Sequence, residues 1–273
     1  MINWYSAGIY AYKTYIIQAL KQLVEFNAIY EKKRFQNKGA YVDDDDFVAG
    51  TRGEFPLIVK ENNMHYAVHL NDGAMCGIFL DQRDVRKVIR DTYAKDKQVL
   101  NTFSYTGAFS VAASLGGATQ TTSVDLAKRS LQKTMEQLSL NGIDIDAQRI
   151  HVMDVFEYFK YARRKKLLFD MVILDPPSFA RTKKYSFSVT KDYPKLVTEA
   201  LSVTARNGII VASTNNATFS MKKFKTMLEK GFKEQQASYR ILEQYTLPED
   251  FKMNKHFLQG NYLKVVILQV NGG

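Results

Sequence analysis

One stretch, residues 98–125 (QVLNTFSYTGAFSVAASLGGATQTTSVD), limits the folds open to this chain. Residues 99–103 form a compact, mostly apolar run with the length of one buried strand. Ser104-Tyr105-Thr106-Gly107 breaks it with small and polar residues. Residues 108–115 are small and apolar, as a helix packed closely on a sheet must be. Gly116-Gly117 ends that helix, and residues 119–124 are β-branched enough for a second buried strand, closed by Asp125. Strand, turn, helix, strand and terminal acid predict a parallel βαβ unit. The helix start of such a unit offers free backbone N–H groups, and the acid accepts hydrogen bonds from ribose hydroxyls. That is the frame of an adenosine-containing cofactor site.

The turn separates two classes of cofactor. A dinucleotide site wants G-x-G-x-x-G, so that the backbone can approach a pyrophosphate. Only Gly107 lies in this turn, and Phe103, Tyr105 and Phe109 occupy the neighbouring positions. That crowding suits a ligand without a pyrophosphate, such as S-adenosylmethionine. The spacing from Gly107 to Asp125 fits either class, and a βαβ unit that binds nothing stays open.

Composition narrows the setting. A chain of 273 residues with 45% hydrophobic residues buries a sizeable core as one large domain, or as a large one with a small partner. Its one cysteine, Cys76, excludes an internal disulfide and predicts a reducing, cytoplasmic location. No signal peptide and no membrane-length apolar run is visible. Lys plus Arg outnumber Asp plus Glu by 38 to 28, a net charge of +10 that favours a polyanion such as nucleic acid.

Along the chain, apolar residues at helical spacing (Tyr12, Ile16, Ala19, Leu20, Leu23) predict a helical stretch from the start to about residue 38. Asp43 to Asp46 read as a solvated acidic loop, since four adjacent acids do not converge on one ion; no metal is expected. Residues 57–60 and 65–70 predict a hairpin, and Gly77-Ile78-Phe79-Leu80 a further strand. These elements predict a small α+β domain over residues 1–91, contributing to the substrate and cofactor site. Residues 92–97 join it to a larger domain that runs to residue 273. At the corner before the helix 85–93, Asp81-Gln82-Arg83 reads on local grounds as a capped helix start. Asp154 ends a third strand, 149–153, where it suits either an adenine amine or the cap of the next helix.

The apolar fourth strand, 170–174, runs into Asp175-Pro176-Pro177-Ser178-Phe179. Pro-Pro forbids continuation of strand or helix and stiffens the backbone. It therefore fixes the Asp175 carboxylate at the carboxyl edge of a parallel sheet, where α/β enzymes hold substrate. Arg181, Lys183, Lys184, Tyr185, Phe187 and Lys191 then interleave cations with aromatics in an expected loop, a mix suited to phosphates and unstacked bases. A fifth strand, 209–212, ends in Ser213-Thr214-Asn215-Asn216 at the same edge.

FLDQR at 79–83, NTFSYTGAF at 101–109, LDPPSF at 174–179 and GNYLK at 260–264 together make the chain similar to the 23S ribosomal RNA large-subunit methyltransferases of the class I, S-adenosylmethionine-dependent fold. The resemblance implies an α/β, Rossmann-like, doubly wound parallel sheet with one added antiparallel strand. It places Phe103, Ser104, Thr106 and Gly107 at the methionine end of the cofactor, beside Tyr105. It gives the ribose to Asp125 next to Leu126, the adenine side to Asp154 next to Val155, and the reacting end to Asp175. Gln82 and Arg83 are drawn to the cofactor by the same match. The catalytic expectation falls on Asp175, Pro176, Pro177 and Asn215, and the RNA-binding expectation on Phe179, Lys183, Lys184, Tyr185 and Lys191.

The resemblance covers relatives that methylate cytosine carbon 5 and relatives that methylate guanine nitrogen 7. Carbon 5 needs an attacking thiolate, and the edge after the fifth strand carries STNN and no cysteine. The paired Asn of STNN resembles the guanine nitrogen-7 relatives, and a ring nitrogen carries its own lone pair, so the expectation is a methyltransferase acting on a guanine ring nitrogen of RNA, most of all 23S ribosomal RNA, without a covalent intermediate. Cytosine carbon-5 chemistry and a catalytically silent RNA-binding module are the alternatives. A nicotinamide oxidoreductase is disfavoured by the missing glycines. No membrane partner is expected, and a homodimer is allowed.

Overall fold

A computed structural model describes residues 1–35, 46–72, 76–181, 186–254 and 256–271. The chain divides into two compact units, residues 1–60 with 65–78, and residues 61–64 with 79–273.

In the smaller unit, β1 (Ile2–Trp4) is followed by α1 (Ala7–Tyr10) and α2 (Lys13–Leu23), then by β2 (Ala28–Lys33) and β3 (Phe47–Gly50). β2 pairs parallel to β1 and antiparallel to β3. The expected helix therefore stops at Leu23, and residues 28–33 are a strand. Their charges hid it: Glu31 is buried because it accepts from Trp4 Nε1 at 2.9 Å and from Lys13 Nζ at 2.7 Å. Lys32 is buried in an ion pair with Asp46. Asp43, Asp44 and Asp45 lie outside the described residues. β4 (Leu57–Glu61) and β5 (Met64–Val68) form the expected hairpin, turning through Asn62 and Asn63 at φ 48° and 64°. Such left-handed pairs match the twist of a two-residue hairpin.

In the larger unit a 3-10 turn (Leu80–Gln82) leads into α3 (Arg83–Val88) and a π-helical turn (Ile89–Tyr93), so residues 77–80 do not form the expected strand. Then come β6 (Gln98–Thr102), α4 (Ala108–Leu115), β7 (Gln120–Asp125), α5 (Arg129–Leu140), β8 (Arg149–Val152), α6 (Val155–Arg164) and β9 (Phe169–Leu174). A short hairpin of β10 (Phe179–Arg181) and β11 (Ser186–Ser188) precedes α7 (Val189–Leu201), β12 (Thr204–Thr214), α8 (Met221–Glu234), β13 (Tyr239–Tyr245) and β14 (Lys264–Val270). The hairpin stands where a loop was expected. Among the described residues no helix is long and apolar enough to cross a membrane.

Seven strands make one sheet in the order β13-β14-β12-β9-β6-β7-β8. β12, β9, β6, β7 and β8 are parallel neighbours, and β14 is antiparallel to both β12 and β13. Alternation along the central strands builds two cores. Leu100, Val172, Leu174, Ile210 and Val266 pack with residues of α6, α7 and α8, while Val99, Met171, Ile173, Val211 and Ile267 pack with Val85, Ile89, Phe109 and Ala113. β9 is apolar at nearly every position because both of its faces are covered. The second core also corrects the expected boundary near Asp91. Val85, Ile89 and Ala94 are interior residues of the larger unit, which begins at Phe79 apart from the hairpin tip 61–64.

Candidate active site

Strand register brings the candidate residues to one edge of the sheet. Thr102 lies beside Val124 and Leu174, Asp125 beside Val152, and Leu174 beside Ala212. The residues that follow these positions, among them Phe103, Asp154, Asp175 and Ser213, leave the parallel strands at their carboxyl ends. A ligand in a doubly wound sheet is held at that edge.

The first cluster is the turn after β6. Phe103 and Tyr105 both have φ 52°, and Gly107 has φ 79°. Two aromatic residues in the left-handed region are uncommon, and each costs about 1–3 kcal/mol unless its surroundings enforce it. The enforcement is visible: Ser104 N–H donates to Val124 O at 3.1 Å, Gly107 N–H to Ser104 O at 2.7 Å, and Tyr105 N–H to Asp125 Oδ2 at 2.9 Å. Asp125 Oδ1 also accepts from Ala127 N–H at 2.8 Å. Burial pushes the Asp125 carboxyl up, against the pull of these backbone donors. Below the turn, Asn101 Nδ2 donates to Ser110 Oγ at 2.9 Å, and Ser110 Oγ meets Ser123 Oγ at 2.7 Å, tying β6, α4 and β7 through fully buried side chains.

The second cluster surrounds Asp175. Its Oδ1 accepts from Gln82 Nε2 at 3.2 Å and from the Ser213 hydroxyl, and Gln82 Nε2 also lies 3.2 Å from Ser213 Oγ. Burial pushes the Asp175 carboxyl up to about 6; the Ser213 hydrogen bond opposes the shift and the neighbouring Asp81 charge adds to it. Beside it, Tyr193 is fully buried and donates its hydroxyl to Ser213 O at 2.8 Å. Ser178 Oγ donates to Asn215 Oδ1 at 2.8 Å, joining the Pro-Pro turn to the end of β12.

The remaining sequence candidates are placed as follows. Asp154 caps α6, accepting from Phe156 and Glu157 N–H at 3.0 and 3.1 Å, and Val155 is buried in the core. Leu126 is exposed, and Thr106 is buried. The Arg83 guanidinium forks onto Asp250, which draws the Asp250 carboxyl below its usual range. Pro176 is buried, while Pro177 and Asn215 are exposed. Phe179 is 62% exposed, and Lys191 is exposed on the first turn of α7. Phe187, expected beside a flipped base, is 2% exposed and packs near Phe103 and Phe156. Strand pairing of Ala180 with Phe187 turns it into the core. Lys183, Lys184 and Tyr185 lie outside the described residues. No metal-binding group of His, Cys, Asp or Glu occurs among the described residues. Tyr193 stands out only once the strands are aligned; Ser213 belongs to the STNN run, but its tie to Asp175 follows from β9 and β12 being neighbours.

The family model described as S-adenosylmethionine-dependent methyltransferase matches residues 32–257. The chain belongs to the S-adenosylmethionine-dependent methyltransferases. This methyltransferase is 62% identical over 270 residues to a Bacillus subtilis protein named "Putative ribosomal RNA large subunit methyltransferase YwbD", covering 98% of the chain and 68% of that protein. It is 35% identical over 226 residues to the ribosomal RNA large subunit methyltransferase K of Neisseria meningitidis, covering 82% of the chain and 60% of that protein. The crystal structure of SMU.776 complexed with SAH superimposes with a TM-score of 0.90 at 44% identity, over 98% of the chain and 68% of SMU.776.

The cofactor of the methyltransferase is S-adenosylmethionine, and the residues present fit it. Ser104 Oγ and Gln82 Oε1 are buried without a hydrogen-bond partner among the described residues. Each such atom costs about 1–3 kcal/mol, which a ligand carrying an amino acid and a ribose would recover. Asp125, with one backbone donor on each oxygen, retains lone pairs for hydroxyls.

Proposed function

We propose that the chain methylates a base of large-subunit ribosomal RNA, at a ring nitrogen and without a covalent enzyme intermediate. The names of its relatives and its net charge of +10 support an RNA substrate. The observation that carries the nitrogen reading is the make-up of the acceptor edge. It presents Asp175, Pro177, Ser178, Asn215 and Asn216, and the unit that builds the sheet contains no cysteine. Without a thiolate, cytosine carbon 5 is not nucleophilic enough to accept a methyl group.

Bound at the edge, S-adenosylmethionine supplies an already activated methyl group. The protein has then to align the acceptor and exclude water. Asp125 and the Ser104–Gly107 turn would hold the nucleoside and amino acid ends. Asp175, fixed by Gln82 and Ser213 and followed by two prolines, would set one side of the acceptor site. Asn215, anchored by Ser178, would orient the base edge through its amide. Phe179, exposed on β10, offers a face on which an extruded base can stack.

Tritium transfer from labelled S-adenosylmethionine to large-subunit ribosomal RNA tests the reading, with digestion of the product to nucleosides to locate the methyl group. A methylated ring nitrogen is the expected result. Binding without transfer would favour a silent RNA-binding module. A stable covalent adduct with RNA containing 5-fluorocytosine would overturn the nitrogen reading.

A further inference from the structure

β14 begins with Lys264, which lies opposite Thr214 in the antiparallel pairing with β12. The side chain is 5% exposed. Its Nζ donates to Asn216 O at 2.9 Å, Tyr262 O at 2.9 Å and Asn261 O at 3.3 Å. Three carbonyls match the three N–H groups of an ammonium, and Nζ also lies 5.6 Å from the centre of the Phe219 ring. No carboxylate neutralises it among the described residues. Burying an amine is unfavourable unless all its hydrogen bonds are made, and an aliphatic side chain would fill this position more cheaply. The arrangement therefore spends folding stability on fixing three backbone carbonyls, that of Asn216 among them.

That carbonyl belongs to the acceptor edge. Asn216 follows Asn215, whose amide is anchored by Ser178 of the Pro-Pro turn. Tyr262, a second carbonyl partner of Lys264, hydrogen-bonds through its hydroxyl to Asp81, next to the Gln82 that holds Asp175. The three loops after β9, after β12 and before β14 are thus cross-tied, and Lys264 is the tie between the last two.

We propose that Lys264 is a positioning residue for methyl transfer. Its ammonium holds the Asn216 carbonyl and so sets the Asn215–Asn216 amides against the methyl acceptor, while the cofactor turn at residues 103–107 is independent of it. The inference rests on the reading that this edge faces the acceptor base.

The test compares Lys264→Met, which keeps the length and removes the donors, with Lys264→Gln, which restores two of them. Lys264→Met should lower kcat for large-subunit ribosomal RNA at least tenfold, with the KM for S-adenosylmethionine and the Kd for S-adenosylhomocysteine within twofold of wild type. Lys264→Gln should recover part of kcat. Deuterium uptake of the amides of residues 214–218 should rise in Lys264→Met at least tenfold, with residues 104–107 unchanged. A kcat within twofold of wild type overturns the proposal, and so does cofactor affinity falling in step with kcat, or unchanged exchange at 214–218. The exchange and cofactor measurements use no RNA. A wild-type enzyme that transfers nothing to ribosomal RNA therefore refutes the substrate reading, while these two measurements still decide the role of Lys264.

Discussion

The backbone N–H of Tyr105 donates to Asp125 Oδ2 at 2.9 Å, so the acid at the end of β7 holds a left-handed aromatic residue in the turn after β6. One carboxylate thus shapes the turn, and in the proposed site its remaining lone pairs would face the cofactor. Asp125→Ala removes both functions. The affinity for S-adenosylhomocysteine, measured by calorimetry, should fall roughly 10- to 100-fold, the size of losing a hydrogen bond or two to a charged group. Deuterium uptake at Tyr105 should rise with it. Unchanged affinity would remove Asp125 from the cofactor site.

Gly107 admits no side chain. At φ 79° an added Cβ would lie 2.6 Å from Thr134 Cγ2, where α5 packs against the turn. Gly107→Ala should destabilise the fold by about 1–3 kcal/mol in urea unfolding, through backbone strain and overpacking together. Adding Thr134→Ser deletes the clashing methyl group and should recover the overpacking share but not the strain.

Asp175 makes a pH-dependent contribution of known sign. Burial pushes its carboxyl up to about 6 in the folded chain, against an ordinary value of 3.8. The folded state therefore holds the proton more tightly than the unfolded one, and the ionised group weakens the fold above pH 6. Asp175→Asn should raise the Tm at pH 8, and that gain should shrink as the pH is lowered from 6 to 4. Methyl transfer should be lost at every pH. A gain in Tm that is constant from pH 4 to 8 would refute the shifted titration.

Phe179 and Lys191 separate stacking from charge. Phe179→Ala, at an exposed site, should leave stability within about 0.5 kcal/mol and weaken RNA binding by about 1–3 kcal/mol at any salt concentration. Lys191→Ala should instead lower the slope of log K against log salt by about 1. Equal slopes in wild type and variant would take Lys191 out of the interface.

Much of the sheet is legible in the sequence because its central strands are buried on both faces and its parallel strands end in chemically distinct residues: Phe103 and its turn, Asp125, Asp154, Asp175. In the small unit the hairpin of β4 and β5 is legible and the β1-β2-β3 sheet is not, because strand β2 reads as charge. Glu31 and Lys32 are interior only by virtue of Trp4, Lys13 and Asp46, which are distant in sequence. Phe187 misled for the converse reason, since an aromatic among cations looks exposed until its strand pairs with β10. Residues 77–80 have strand-like composition but run into the 3-10 turn at Leu80–Gln82. Among site residues, the polar ties of Asp175 to Ser213 and of Asn215 to Ser178 depend on which strands are neighbours. Local spacing carries no information about that.

The sheet order β13-β14-β12 makes β14 a wedge. Strand β13 precedes β14 in the chain yet meets the sheet only through it, so the place of β13 in the sheet depends on β14 pairing with β12. A chain cut between β13 and β14 would leave β13 without its partner in the sheet and deprive the Asn216 carbonyl of the Lys264 ammonium.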